Sequence, residues 1–103
     1  MPIYQTAHYQ VTAAGVETVK AAIGEFVDYV KTNEPGTRMY LAWQQSDDPT
    51  RFVHLFTFDA ERAHKVHGSS DAVKRFEDVY RPQLVAGPVV FTDYDLVAGN
   101  RQP

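Results

Sequence analysis

The chain has 103 residues, a formal net charge of −3 at neutral pH and no cysteine. One compact domain of this length buries roughly two-thirds of the surface its unfolded chain exposes, so it folds without staples. Disulfides and thiolate metal sites are excluded, and the acidic balance argues against a nucleic-acid partner, which needs a basic surface.

The opening "MPIYQTAHYQ" has no basic segment followed by an apolar run and does not read as a signal peptide. No apolar stretch approaches a membrane span, so a cytoplasmic protein with no membrane partner is expected. Residues 3–12 are rich in aromatic and β-branched types and read as a strand. Residues 14–33 read as a helix, with Val16, Val19, Ile23, Phe26, Val27 and Val30 on a core-facing stripe. Pro35-Gly36 stops it. Residues 37–45 form a second strand, "SDDPT" a turn, and residues 51–58 a third strand, making a hairpin. Asp59 is placed to cap a short helix over 60–67 that ends at Gly68. Ser69 or Ser70 caps a further helix running to about Val85, with Ala72, Val73, Phe76, Val79, Tyr80 and Leu84 on its apolar side. After a break at Gly87-Pro88, residues 89–97 form the last strand. Residues 1–98 read as a single domain and "GNRQP", 99–103, as a polar frayed tail.

Strand, helix, strand, strand, helices, strand is the split βαβ pattern of a ferredoxin-like α+β fold with a four-stranded antiparallel sheet. Both faces of that sheet are apolar. Phe52, His54, Phe56 and Phe58 alternate with Val53 and Leu55, and Met39, Leu41 and Trp43 alternate with Tyr40 and Ala42. Helices cover one face only, so a second copy of the chain is the simplest cover for the other, giving a homodimeric barrel.

With these elements in place the chain resembles the antibiotic biosynthesis monooxygenase domain, a dimeric α/β-barrel family. The resemblance is carried by "FVHLFTF" on the third strand, by "AHKVHGSSDAVKRF" with Ala63, His67, Ser70 and Phe76 at matching positions, and by Gly87-Pro88. It implies a homodimer whose protomers each hold a pocket between sheet and helices. Several members oxidise flat phenolic or quinol-type substrates with dioxygen and no cofactor, while others degrade haem. Two positions depart from the family pattern. Phe56 stands where a glutamate is common, and Ala72 where a second histidine is common, so mechanisms needing those groups do not carry over at these positions.

His67 shares the apolar face of its short helix with Ala60 and Ala63, so its ring should point at the sheet, where an uncharged imidazole suits a general base. The competing reading is a packed histidine that bonds a carbonyl. Trp43, Tyr40, His54, Phe56 and Tyr80 are candidates to line an aromatic pocket for a flat ligand, against the plainer reading of ordinary core. His54 either lines that pocket or crosses the dimer interface. Glu61 and His64 have E-x-x-H spacing, but a carboxylate-bridged metal site needs that unit twice, and no second copy exists. A haem-degrading role would ask for a tryptophan on the third strand, which has none. The expectation is a cofactor-independent monooxygenase of a small aromatic substrate, with His67 as base. The alternative is a non-catalytic dimeric domain that binds a small molecule in the same pocket.

Overall fold

The computed structural model describes residues 2–101; Gln102 and Pro103 of the expected tail lie outside the described residues. Strands β1 (Ile3–Val11), β2 (Thr37–Gln44), β3 (Arg51–Phe58) and β4 (Leu84–Tyr94) form one sheet in the order β2-β3-β1-β4, every neighbouring pair antiparallel. Helix α1 (Val16–Asn33) links β1 to β2, and helices α2 (Glu61–Gly68) and α3 (Asp71–Tyr80) link β3 to β4. The α+β reading and its four strands are thus observed. None of these helices is long and apolar enough to cross a membrane.

The core lies between the helices and one face of the sheet. Tyr9 and Val11 of β1 and Phe52 of β3 meet Val16, Val19, Ala22, Phe26 and Val30 of α1 and Ala72, Phe76 and Tyr80 of α3. Phe26 stacks on Phe76 at 5.1 Å and 8°, joining the two long helices. A second cluster, Ala7, Phe56 and Phe58, lies under α2 and packs against Ala63. The stripe read from the α1 sequence is the face that packs, except that Ile23 and Val27 are only half-buried while Ala22 is buried.

Several boundaries move. The chain enters α1 through a 3₁₀ turn at Ala13–Gly15, where the Thr12 hydroxyl accepts from Gly15 N–H. Asp59 does not cap α2. The N-cap position falls on Ala60, and the Asp59 carboxylate pairs with Arg38 at 3.3 Å. Ser70 caps α3 by accepting from Val73 N–H at 3.1 Å. That helix stops at Tyr80 rather than near Val85. Pro82 has no N–H to continue it, a 3₁₀ turn follows at Arg81–Gln83, and Leu84 and Val85 pair with Val11 and Gln10 as strand. Gly87-Pro88 therefore sits inside β4. Residues 86–89 bulge opposite Tyr9, with Ala86 at φ 60° and Gly87 at φ 103°. A smaller register shift lies between Thr37 and Met39 on the other edge strand.

The sheet's far face carries Leu41, Trp43, Val53, Leu55, Val90 and Tyr94 and has no helix on it. Leu41, Trp43, Val90 and Tyr94 are 40–57 % exposed there.

Candidate functional site

Between the sheet and helices α1, α2 and α3 lies a cavity of about 450 Å³. Its walls include Phe26, Tyr40, Phe56, Phe76 and Tyr80, and two buried histidines, His54 and His67, reach it. Alternation along the strands places the sheet residues. Ala7, Tyr9, His54 and Phe56 all point to the helix side, because antiparallel partners such as Ala7 and His54 share a face.

His67 stands in the last turn of α2, four residues after Ala63, so its ring turns inward as the spacing predicts. It lies against Phe58 at 5.2 Å, Phe26 at 5.3 Å and Tyr40 at 5.7 Å. Its Nδ1–H donates to Glu34 Oε1 at 2.7 Å. Glu34 is 5 % exposed, sits just past the end of α1 and also accepts from the Thr37 hydroxyl at 3.1 Å. Its other oxygen, Oε2, has no partner among the described residues. With Nδ1 held by Glu34, the remaining ring nitrogen is Nε2. It bonds nothing within the described chain, and His67 is one of the residues lining the cavity. A carboxylate that fixes one imidazole nitrogen and frees the other is the arrangement of a general base.

His54 is 1 % exposed and held from both sides. Tyr9 Oη lies 2.8 Å from its Nε2 and Tyr40 Oη 2.7 Å from its Nδ1. Phe76 covers its ring at 5.9 Å. Burial pushes its pKa down to about 4, so the ring is uncharged. Burial also raises the pKa of Tyr9, Tyr40 and Tyr80, so these hydroxyls keep their protons.

Of the residues expected to line a pocket, Tyr40, His54, Phe56 and Tyr80 are brought together with His67. Trp43 is not. It lies on the far face of the sheet, 52 % exposed, beside His8, Arg51 and Val53 in a separate depression of about 380 Å³. Tyr40 and Trp43 are an even and an odd position of one strand, and such positions face opposite ways. Glu61 pairs with Lys65 along α2. Among the described residues no group of three histidine or acidic side chains is placed to hold a metal. Sequence reasoning missed Glu34 and Tyr9. Phe56 and Ala72, the two departures from the family pattern, are buried apolar core. The site's buried carboxylate comes from the end of α1 instead.

The family description "Antibiotic biosynthesis monooxygenase" matches residues 2–79 of the chain. No curated protein matches it closely enough to count as a relative. Among solved structures, a protein from Bacteroides thetaiotaomicron superposes with a TM-score of 0.89 at 15 % identity, covering 99 % of this chain and 95 % of that one. One from Caulobacter crescentus gives 0.85 at 25 % identity, covering 94 % and 91 %. One from Nitrosomonas europaea gives 0.85 at 21 %, covering 93 % and 90 %. All three are provisionally assigned as antibiotic biosynthesis monooxygenases. A match over most of the chain, joined to the same fold over nearly its full length, makes this protein a member of the antibiotic biosynthesis monooxygenase family.

Proposed function

We propose that the protein is a homodimeric, cofactor-independent monooxygenase that oxidises a small quinol-, phenol- or anthrone-type aromatic with dioxygen. The observation that carries this reading is the Glu34–His67 pair at the wall of an aromatic-lined cavity, with Nδ1 held and Nε2 unbonded among the described residues. The cavity volume falls in the range of small-ligand sites, roughly 300–1,000 Å³. Flat rings such as Phe26, Tyr40 and Phe76 suit stacking on a flat substrate.

In this mechanism His67 Nε2 takes a proton from a phenolic O–H or an activated C–H, and Glu34 steadies the imidazolium that forms. The substrate anion is electron-rich and reduces dioxygen, giving a peroxide that receives the proton back from His67. For an anthrone-type methylene, loss of its second proton then breaks the O–O bond. One oxygen atom stays on carbon as a carbonyl and the other leaves as water. The apolar walls keep solvent from the anion while it reacts.

The test is oxygen uptake by purified protein over a panel of quinols and anthrones with nothing added. His67→Gln keeps some hydrogen-bonding capacity but cannot act as a base, and is expected to lower kcat by about 10² to 10⁴ with little change in denaturant midpoint. Glu34→Gln can turn an amide N–H toward Nδ1 and reverse the tautomer, so it should lower kcat in the same sense. If His67→Gln turns over like the wild type while His67→Ala merely unfolds early, His67 is a packing residue and the base mechanism is lost.

A further inference from the structure

His54 lies one position from Leu55 on the central strand β3, in contact with two tyrosines and away from the Glu34–His67 pair. An uncharged imidazole has one N–H and one bare nitrogen. Between two phenol hydroxyls it can therefore donate to one and accept from the other. The tyrosine that accepts from His54 still holds its own hydroxyl proton. Neither Tyr9 nor Tyr40 has a second hydrogen-bond partner among the described residues. Whichever tautomer His54 adopts, one tyrosine O–H is unspent, and both tyrosines line the cavity.

When Tyr9 is the donor, ring contacts place it away from the base. His67 packs against Phe26, Tyr40, Phe56 and Phe58, whereas Tyr9 packs against Phe52, His54 and Tyr80. The two sets share no member, and Tyr40 stands between them, 5.6 Å from His54 and 5.7 Å from His67. With Tyr9 as donor the cavity has a proton acceptor toward one end and a hydrogen-bond donor toward the other; with Tyr40 the donor stands midway, beside the acceptor.

We propose that the Tyr9–His54–Tyr40 chain is a polar anchor for an acceptor oxygen on the ligand, which makes the preferred ligand a flat aromatic ketone, quinone or quinol-type compound rather than a plain arene. This rests on the aromatic-ligand reading above and adds to it which atom of the ligand is held, and by what. A carbonyl or phenolate oxygen takes up the unspent O–H. A hydrocarbon of the same shape leaves that donor buried without a partner, and a site built around a hydrogen bond rejects an analogue lacking the acceptor. As proton removal by His67 pushes charge onto the ligand oxygen, the same donor holds it more strongly.

Two probes of one ring skeleton test the anchor: anthrone, which has a carbonyl, and 9,10-dihydroanthracene, which has none. Binding is measured without oxygen, with the carbonyl stretch of bound anthrone followed by infrared difference spectroscopy. In the wild type the stretch should move below its position in apolar solvent. Each single tyrosine change lets His54 pass the free donor to the remaining tyrosine, so the decisive variant is Tyr9→Phe/Tyr40→Phe. It should bind dihydroanthracene more tightly than the wild type does, since no donor is left buried without a partner, lose about tenfold in anthrone affinity, the worth of one hydrogen bond, and lose the downshift. Wild-type binding of anthrone with no downshift overturns the anchor and leaves the aromatic pocket standing. Failure of the wild type to bind either probe overturns the pocket and the anchor together. Should the double variant fail to fold, the wild-type infrared result decides alone.

Discussion

His54 couples the stability of the fold to pH in a way that can be isolated. Burial lowers its pKa from 6.5 to about 4. Between those values the unfolded chain binds a proton at this ring and the folded chain does not, so stability rises with pH across that window. The contribution is fully present above about pH 6.5, is lost as pH falls toward 4, and amounts to about 3 kcal/mol. Urea midpoints for the wild type and His54→Asn, measured at pH 7 and pH 4, should show the wild type losing about that much more than the variant. Equal losses would mean that the histidine is not held uncharged. The residues of the site differ in how far local sequence reveals them. The inward direction of His67 follows from its four-residue spacing to Ala63, and the alternation on β2 already separates Tyr40 from Trp43. Glu34 and Tyr9 are hidden because their partners, His67 and His54, are 33 and 45 residues away, and only the closed fold brings them together.

Helix α2 holds His67 against Glu34, and one glycine lets it sit close enough. A Cβ on Gly36 would lie 2.7 Å from the Ala63 Cβ, while the Gly36 carbonyl accepts from Asp59 N–H at 2.8 Å just before the helix. Gly36→Ala should push α2 outward, at about 1–3 kcal/mol for an overpacked contact, and should reduce turnover by drawing His67 off Glu34. Adding Ala63→Gly removes the clash, since the next nearest atom is the Ala63 Cα at 3.7 Å. The double variant should regain turnover even though glycine in a helix costs about 1 kcal/mol. Melting and kcat for the three variants decide it, and a double variant no better than Gly36→Ala would show that the contact does not seat the helix. Element type was legible where residue types and a flanking turn agreed, as in the aromatic-rich β3 after the "SDDPT" turn, whose bounds match the expected 51–58. The end of α3 was not, because Leu84 falls four residues after Tyr80 and satisfies helical spacing. Its pairing with Val11 is a long-range contact that no local pattern reports.

At the scale of the whole molecule, the uncovered sheet face is where assembly is expected to occur. Leu41, Trp43, Val90 and Tyr94 present an apolar surface, and Thr6 and Thr57 are sunk among larger neighbours with hydroxyls that have no partner among the described residues. A second copy laid sheet to sheet would cover this surface. The wild type is therefore expected to be a dimer at micromolar concentration by light scattering. Leu41→Asp, on that face and 40 % exposed, should yield a folded monomer with an unchanged circular dichroism spectrum. A wild type that scatters as a monomer would sink the barrel.

The bulge in β4 bears on what happens when such molecules are crowded. A sheet's outermost strands offer rows of amide donors and acceptors on which further chains can polymerise. Here β4 and β2 are those outer strands. On β4 the row is bent out of line at Ala86 and Gly87 and lacks a donor at Pro88. On β2 the register slips beside Arg38, a charged side chain. Both irregularities work against recruitment strand by strand, so the protein is expected to pair face to face and stop, staying in solution at concentrations where an unbroken edge would seed fibres.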